Sequence, residues 1–197
     1  MLIHECLKGK RIILASASPR RRQLLADAGV VFTVADKYEC DECWPDDMSA
    51  DDVASYLSRL KSKAFPRVPD DDEIVITADT TVNIDGKVLG KPADRDEALS
   101  MLSLLSGRTH EVVTGVTLRS GDRMHTFSSR TSVRFRTIAD DEMAYYVDTF
   151  NPYDKAGAYG IQEWIGYTAV EGIEGSFYNV MGLPVQRVCD ELRRFVG

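Results

Sequence analysis

The sequence predicts an α/β protein, a mixed twisted sheet flanked by helices. Two observations carry this. Short β-rich runs alternate with segments of helical spacing, and an Asp85-Gly86 pair between alternating apolar residues marks a tight hairpin in the same chain. At 197 residues, 44% hydrophobic and 28% charged, the chain can bury a proper core as one domain of ordinary size, 1–197, or as two small lobes.

The elements follow in order. Ile12-Ile13-Leu14-Ala15 reads as a buried strand that stops at Ser16 and Ser18. Ser18 is a good N-cap and Pro19 suits the first helical position, so a helix runs from Pro19 to about Ala28, with Gly29 as its left-handed stop. Val30 to Val34 reads as a second strand, and an acidic stretch with Pro45 inside it follows from Asp36 to Asp47. Ser49 and Asp52 form a capping signal, after which Val53, Tyr56, Leu57, Leu60 and Ala64 repeat at helical spacing. Ile74 to Ala78 is a buried-type strand that is expected to end on Asp79. The hairpin comes next, with opposed positions summing to 171, which sets Lys91 across from Thr80 at its base. Asp94 and Glu97 make a capping box for a helix that Gly107 stops. Two long strands, about Glu111 to Leu118 and Met124 to Arg136, precede a helix from Asp140 toward Val147. Pro152 to Gln162 is irregular, and a last helix runs from about Pro184 to Phe195.

Composition excludes several classes. A formal charge of −7 speaks against a broad nucleic-acid or anionic-membrane surface, although an anionic ligand remains compatible with locally gathered basic residues. No apolar run approaches the ~20 residues needed to span a bilayer, and Met1 to Lys10 lacks the apolar core of a signal peptide. Four cysteines are too sparse for a disulfide framework, so a reducing cytoplasm is expected. Cys40-x-x-Cys43 has no second pair at zinc spacing, so structural zinc is not expected. No Gly-x-Ser-x-Gly, Walker-type or Gly-rich dinucleotide turn is present.

The residues that could carry chemistry are each weak signals singly, and their value lies in joint occurrence with the turn that opens the first helix. Its free N–H groups, macrodipole and Arg20-Arg21-Arg22 suit phosphate oxygens, or else form a solvated basic turn. Asp79, placed at the carboxyl end of a buried strand, can bind a divalent cation, take a proton from water, or serve as a plain hairpin-base acceptor. Glu42 offers a second carboxylate, and Lys63 and Lys91 offer point charges.

These pieces in this order resemble the Maf family, nucleoside triphosphate pyrophosphatases also called septum-formation inhibitors. The resemblance runs from Ile12 to about Leu192. It rests on Ser16-Ala17-Ser18-Pro19-Arg20-Arg21, Ala78-Asp79-Thr80, Gly90-Lys91-Pro92, Ser106-Gly107-Arg108-Thr109-His110, the segment from Tyr153-Asp154-Lys155 to Gly160-Ile161-Gln162, and Asn179-Val180-Met181-Gly182-Leu183-Pro184.

It implies two lobes with a nucleotide in a central cleft, as in the inosine-triphosphate pyrophosphatases. It also implies hydrolysis between the α- and β-phosphates with a divalent metal such as Mg or Mn, and a homodimer. By position, Asp79 matches the proton acceptor, with Lys63 and Lys91 beside it. Ser18 and Arg21 match phosphate-lining residues, and Glu42 joins Asp79 at the metal, given one extra residue in the loop after Phe32. Arg20, Thr80 and Gln162 stand at the three base-specificity positions in the form of the dTTP/UTP branch. A glutamine amide can pair with the O4/N3–H edge of uracil or thymine, and cytosine reverses both partners. The other readings this leaves are a family member with another base preference, and a non-enzymatic regulator of cell division. An intact Asp79 with its lysines argues against the second.

Overall fold

A computed structural model describes residues 2–197. In chain order its elements are α1 (Ile3–Cys6), β1 (Arg11–Leu14), α2 (Pro19–Asp27), β2 (Thr33–Val34), α3 (Ala50–Ala64), β3 (Glu73–Ile84), β4 (Lys87–Leu89), α4 (Arg95–Leu105), β5 (Thr109–Ser120), β6 (Arg123–Phe135), α5 (Asp140–Phe150), two 3-10 turns (Pro152–Asp154 and Ala156–Ala158), α6 (Trp164–Ala169), β7 (Val170–Glu174), α7 (Phe177–Met181) and α8 (Val185–Val196). The strands form one seven-stranded sheet in the order β2-β1-β3-β5-β6-β7, with β4 paired to β3. Pairing is parallel between β1 and both β2 and β3, and antiparallel for β3–β4 and β6–β7, so the sheet is mixed as expected.

The chain divides into two compact units. The first takes in Met1–Asp79 (described from Leu2), Thr114–Ser129 and Gly182–Gly197; the second takes in Thr80–Val113 and Arg130–Met181.

The first unit begins with β1-α2-β2, a crossover between parallel strands. Ser18 caps α2 by accepting from the Arg21 N–H, Pro19 opens the helix, and Gly29 leaves it at a φ of +76°. The second strand is shorter than expected, two exposed residues instead of Val30 to Val34, because Val30 to Phe32 find no ladder partner beside β1. Helix α3 buries Val53, Ala54, Leu57, Ser58 and Ser62. Its buried face is pinned by hydroxyls: Thr77 Oγ1 donates to the Ser58 carbonyl at 2.7 Å, and the Ser58 and Thr117 hydroxyls meet at 2.9 Å. Helix α3 also lies in backbone contact with β5. A Cβ built at Gly115 would fall 2.3 Å from the Ala54 carbonyl oxygen, so only glycine fits there.

At the other end of β3, the Glu73 carboxylate is almost fully buried and accepts from Arg67 Nη2 at 2.8 Å and from the Asp70 N–H at 2.9 Å. Arg67 chiefly, with the Asp70 N–H and Arg11, outweighs burial and drives its pKa down from 4.5 to about 2. A carboxylate with a folded pKa below its unfolded one stabilises the fold above the unfolded value and loses that contribution as pH falls. Melting temperature is therefore expected to drop between pH 4.5 and about 2. Glu73→Gln should flatten part of that acid limb in circular-dichroism melts, and an unchanged slope would remove Glu73 from the account.

The second unit holds the hairpin, with Val82 opposite Leu89 and Ile84 opposite Lys87, the register expected from the Asp-Gly turn. Pairing stops at Leu89, so the ladder does not reach Thr80 and Lys91 as expected. Leu102, Leu105, Phe135, Tyr146 and Ile165 centre its core, where α4, α5 and the 3-10 turns pack on the strands. Asp94 caps α4 through the Glu97 N–H, and the Glu97 carboxylate returns the bond to the Ala93 N–H.

Candidate active site

Strand β3 does not end on Asp79. It runs on for five more residues and joins the buried strand and the hairpin into one element of twelve residues. Within it only Asp79 and Thr80 are half-buried, and every other residue is buried. Two polar side chains thus open to the surroundings in the middle of a covered strand.

In the first unit, Asp79 meets Lys61, not Lys63. Lys61 Nζ lies 2.5 Å from Asp79 Oδ1 and 3.0 Å from Glu42 Oε2, and Asp79 and Lys61 are both mostly covered while Glu42 is half exposed. Lys63 is exposed and does not join them. The reason is helical geometry. Lys61 follows Leu57 by four residues and Ser58 by three, on the buried stripe of α3, and Lys63 lies about 200° further round. That stripe was readable in the sequence, since a lysine on an apolar face needs a partner. The Tyr38 hydroxyl fixes this end of the helix by donating to the Lys61 carbonyl at 2.9 Å.

Arg21 holds two backbone carbonyls of the fold. Its Nε donates to the Gly182 carbonyl and its Nη1 to the Ala78 carbonyl, each at 2.8 Å, with Ser16 Oγ a longer partner at 3.4 Å. Burial pulls its pKa below the ordinary arginine value, and Asp79 opposes that shift. Arg21 therefore braces the backbone immediately before Asp79. Ser18 works as the cap of α2, and Arg20 in the first turn is half-buried.

Glu42 and Asp79 are the carboxylates here that could hold a divalent cation. Two carboxylates, Glu42 and Asp79, converge on one positively charged group, and among the described residues no cluster of three or more His, Cys, Asp or Glu is available to hold a metal. A hard cation such as Mg²⁺ commonly takes one or two protein carboxylates and fills its shell with phosphate oxygens and water. The four cysteines are all free thiols, Cys40 and Cys43 among them.

In the second unit, the Gly90 carbonyl accepts from the Gly157 N–H at 3.0 Å, which ties the segment before exposed Lys91 to the irregular stretch that ends in Gln162. Gly157 adopts a φ of +69°, and a Cβ there would strike Val82 at 2.9 Å. Gln162 is half-buried, and its Oε1 is buried with no hydrogen-bond partner. An unpaired buried acceptor costs roughly 1–3 kcal/mol, which a bound N–H donor would relieve. Thr80 is half-buried one residue beyond Asp79.

A chain with this α/β sheet, a carboxylate–lysine centre on the central strand and these motifs falls into a recognised class. The family model described as Maf-like protein matches residues 11–195, and the chain belongs to the Maf family. Among its relatives, a protein of Parabacteroides distasonis named dTTP/UTP pyrophosphatase is 49% identical over 97% of this chain and 99% of its own length. A Flavobacterium johnsoniae protein of the same name is 40% identical over 99% of this chain and all of its own. Among solved structures, a HAM1 protein from Coxiella burnetii aligns with 94% of this chain and 99% of its own at 13% identity and a TM-score of 0.48.

Proposed function

We propose that this chain hydrolyses dTTP and UTP to the nucleoside monophosphate and pyrophosphate. The observation that carries the reading is identity of 40–49% over nearly the full length with relatives named dTTP/UTP pyrophosphatase. The unpaired acceptor of Gln162 supports the choice of base: thymine and uracil present an N3–H donor, and cytosine presents an acceptor at the same place.

Asp79 is the proton acceptor. Lys61 holds its Oδ1, which leaves Oδ2 to take the proton as water attacks the α-phosphorus and the bond to the bridging oxygen breaks. The Lys61 ammonium keeps two carboxylates close together next to an anionic substrate, where they would otherwise repel it. Glu42 and Asp79 would hold a Mg²⁺ or Mn²⁺ ion, which supplies charge neutralisation at the phosphate oxygens when bound. Arg21 keeps the Ala78–Asp79 backbone in place through its two carbonyl bonds. Lys91 and the first turn of α2, Ser18 and Arg20 included, serve as phosphate contacts in the same reading, with Thr80 and Gln162 at the base. No described helix is long and apolar enough to cross a membrane, and we place the enzyme in the cytoplasm as a homodimer.

Pyrophosphate release across the eight common triphosphates tests the substrate. dTTP and UTP are expected to lead, with CTP and the purines about 10²-fold or more behind, because a site built for one donor–acceptor pattern leaves its own groups unpaired with the reverse. Gln162→Ala should narrow the gap to CTP. A preference for ATP or GTP would overturn the base assignment and leave the reaction standing.

A further inference from the structure

The segment that carries Gln162 is clamped from beneath by three side chains that no role above absorbs. The Glu163 N–H donates to the Gly160 carbonyl at 2.9 Å, so residues 160–163 form a turn with Ile161 and Gln162 at its centre. The Tyr146 hydroxyl, wholly buried on α5, spans both ends of that turn. It accepts from the Gly160 N–H at 3.0 Å and donates to Glu163 Oε2. Lys155, itself 8% exposed, sets its ammonium 3.1 Å from Glu163 Oε1 and 2.7 Å from Asp154 Oδ1. The missing Cβ of Gly160 makes the closure possible. An added carbon there would lie 2.9 Å from Glu163 Cδ and 3.0 Å from Gln162 Nε2. The carboxylate and the Gln162 amide therefore rest against the same small patch of backbone, side by side.

We propose that Glu163 is a positioning residue for base selection: held between Tyr146 and Lys155, its carboxylate fixes the Gly160–Gln162 turn and so the direction of the Gln162 amide. This rests on the base-reading role given to Gln162. The physical case is that an amide with free χ rotation accepts or donates toward the ligand as required, and then discriminates poorly between uracil and cytosine. A clamp on both ends of a four-residue turn removes that freedom before the nucleotide arrives, and preorganised donors and acceptors are what make rejection strong. Buried lysine and tyrosine partners are needed because an exposed ion pair would hold the turn too weakly. Glu163 is given no part in the proton transfer, so its loss should fall on base choice and not on the chemical step.

The test compares Glu163→Ala, Glu163→Gln, Gln162→Ala and the double variant Gln162→Ala/Glu163→Ala, each assayed for kcat and KM on dTTP, UTP and CTP beside its melting temperature. Glu163→Ala is expected to lower the dTTP-to-CTP ratio of kcat/KM about tenfold, a coupling typical of contacting residues, chiefly through a higher KM for dTTP. Glu163→Gln keeps an oxygen for the Tyr146 hydroxyl and should recover part of the ratio; being nearly isosteric, it also serves if the alanine variant fails to fold. The double variant should discriminate no worse than Gln162→Ala alone. If Glu163→Ala lowers dTTP and CTP turnover equally, with a lower melting temperature and an unchanged ratio, Glu163 is structural and the proposal falls while the role of Gln162 stands. If Gln162→Ala itself leaves the ratio unchanged, the base reading falls and takes the positioning role with it.

Discussion

Asp79→Asn is expected to lower kcat by about 10²–10⁴-fold, the range for loss of a general base, and further if the same carboxylate holds the metal. The amide is nearly isosteric with the carboxylate, so the strand should keep its course. Arg21 still holds the Ala78 carbonyl, and Thr77 still bonds the Ser58 carbonyl two residues earlier. What is lost is the charge that faces Lys61 Nζ at 2.5 Å and the ability to accept a proton. Lys61 then has Glu42 as its carboxylate partner. Pyrophosphate release gives the rate, and calorimetry with a non-hydrolysable α,β-methylene triphosphate gives the affinity, which should change far less than kcat. A variant with near-normal turnover would show that the proton goes elsewhere.

Lys61→Met and Lys63→Met separate the two lysines of α3. A charge-assisted hydrogen bond contributes about 1.5–3 kcal/mol, so kcat/KM is expected to fall about 10–150-fold when Lys61 is lost. The Glu42 and Asp79 carboxylates would then face each other and the triphosphate without the ammonium that now lies against both. Lys63 is exposed and should be replaceable within about twofold, as surface positions usually are. Equal damage from both, or harm from Lys63 alone, would contradict the geometry around Asp79.

Much of the fold was legible in the sequence because its signals are local. Ser18 capping α2, Asp94 capping α4 and Asp85-Gly86 turning the hairpin each depend on residues within four positions, where turn and cap chemistry acts directly. What was not legible depends on distance. Asp79 looked like the end of a strand because polar residues follow the apolar run, yet pairing with neighbours on the sheet carries the strand through it. The short elements α6, β7 and α7 carry too few residues to show a period, and packing decides them. In the site, the motif around Asp79 marked the right strand, but choosing between Lys61 and Lys63 required the helix phase. The partners of Arg21, at positions 78 and 182, are visible only once the chain has folded back on itself.

Gly115 has no chemistry of its own, yet it acts as a gauge for the lysine that does. Its bare Cα lets the Ala54 carbonyl come down onto β5, and Lys61 stands two turns further along the same helix. A methyl group on that strand would lift α3 like a shim under a beam, and the far end of the beam carries the ammonium. Contacts as short as those from Lys61 to Asp79 and Glu42 tolerate little lift. Tolerance to substitution in this enzyme is thus set by thickness as well as by reactivity, and a position remote from every charged group can govern whether the charges meet.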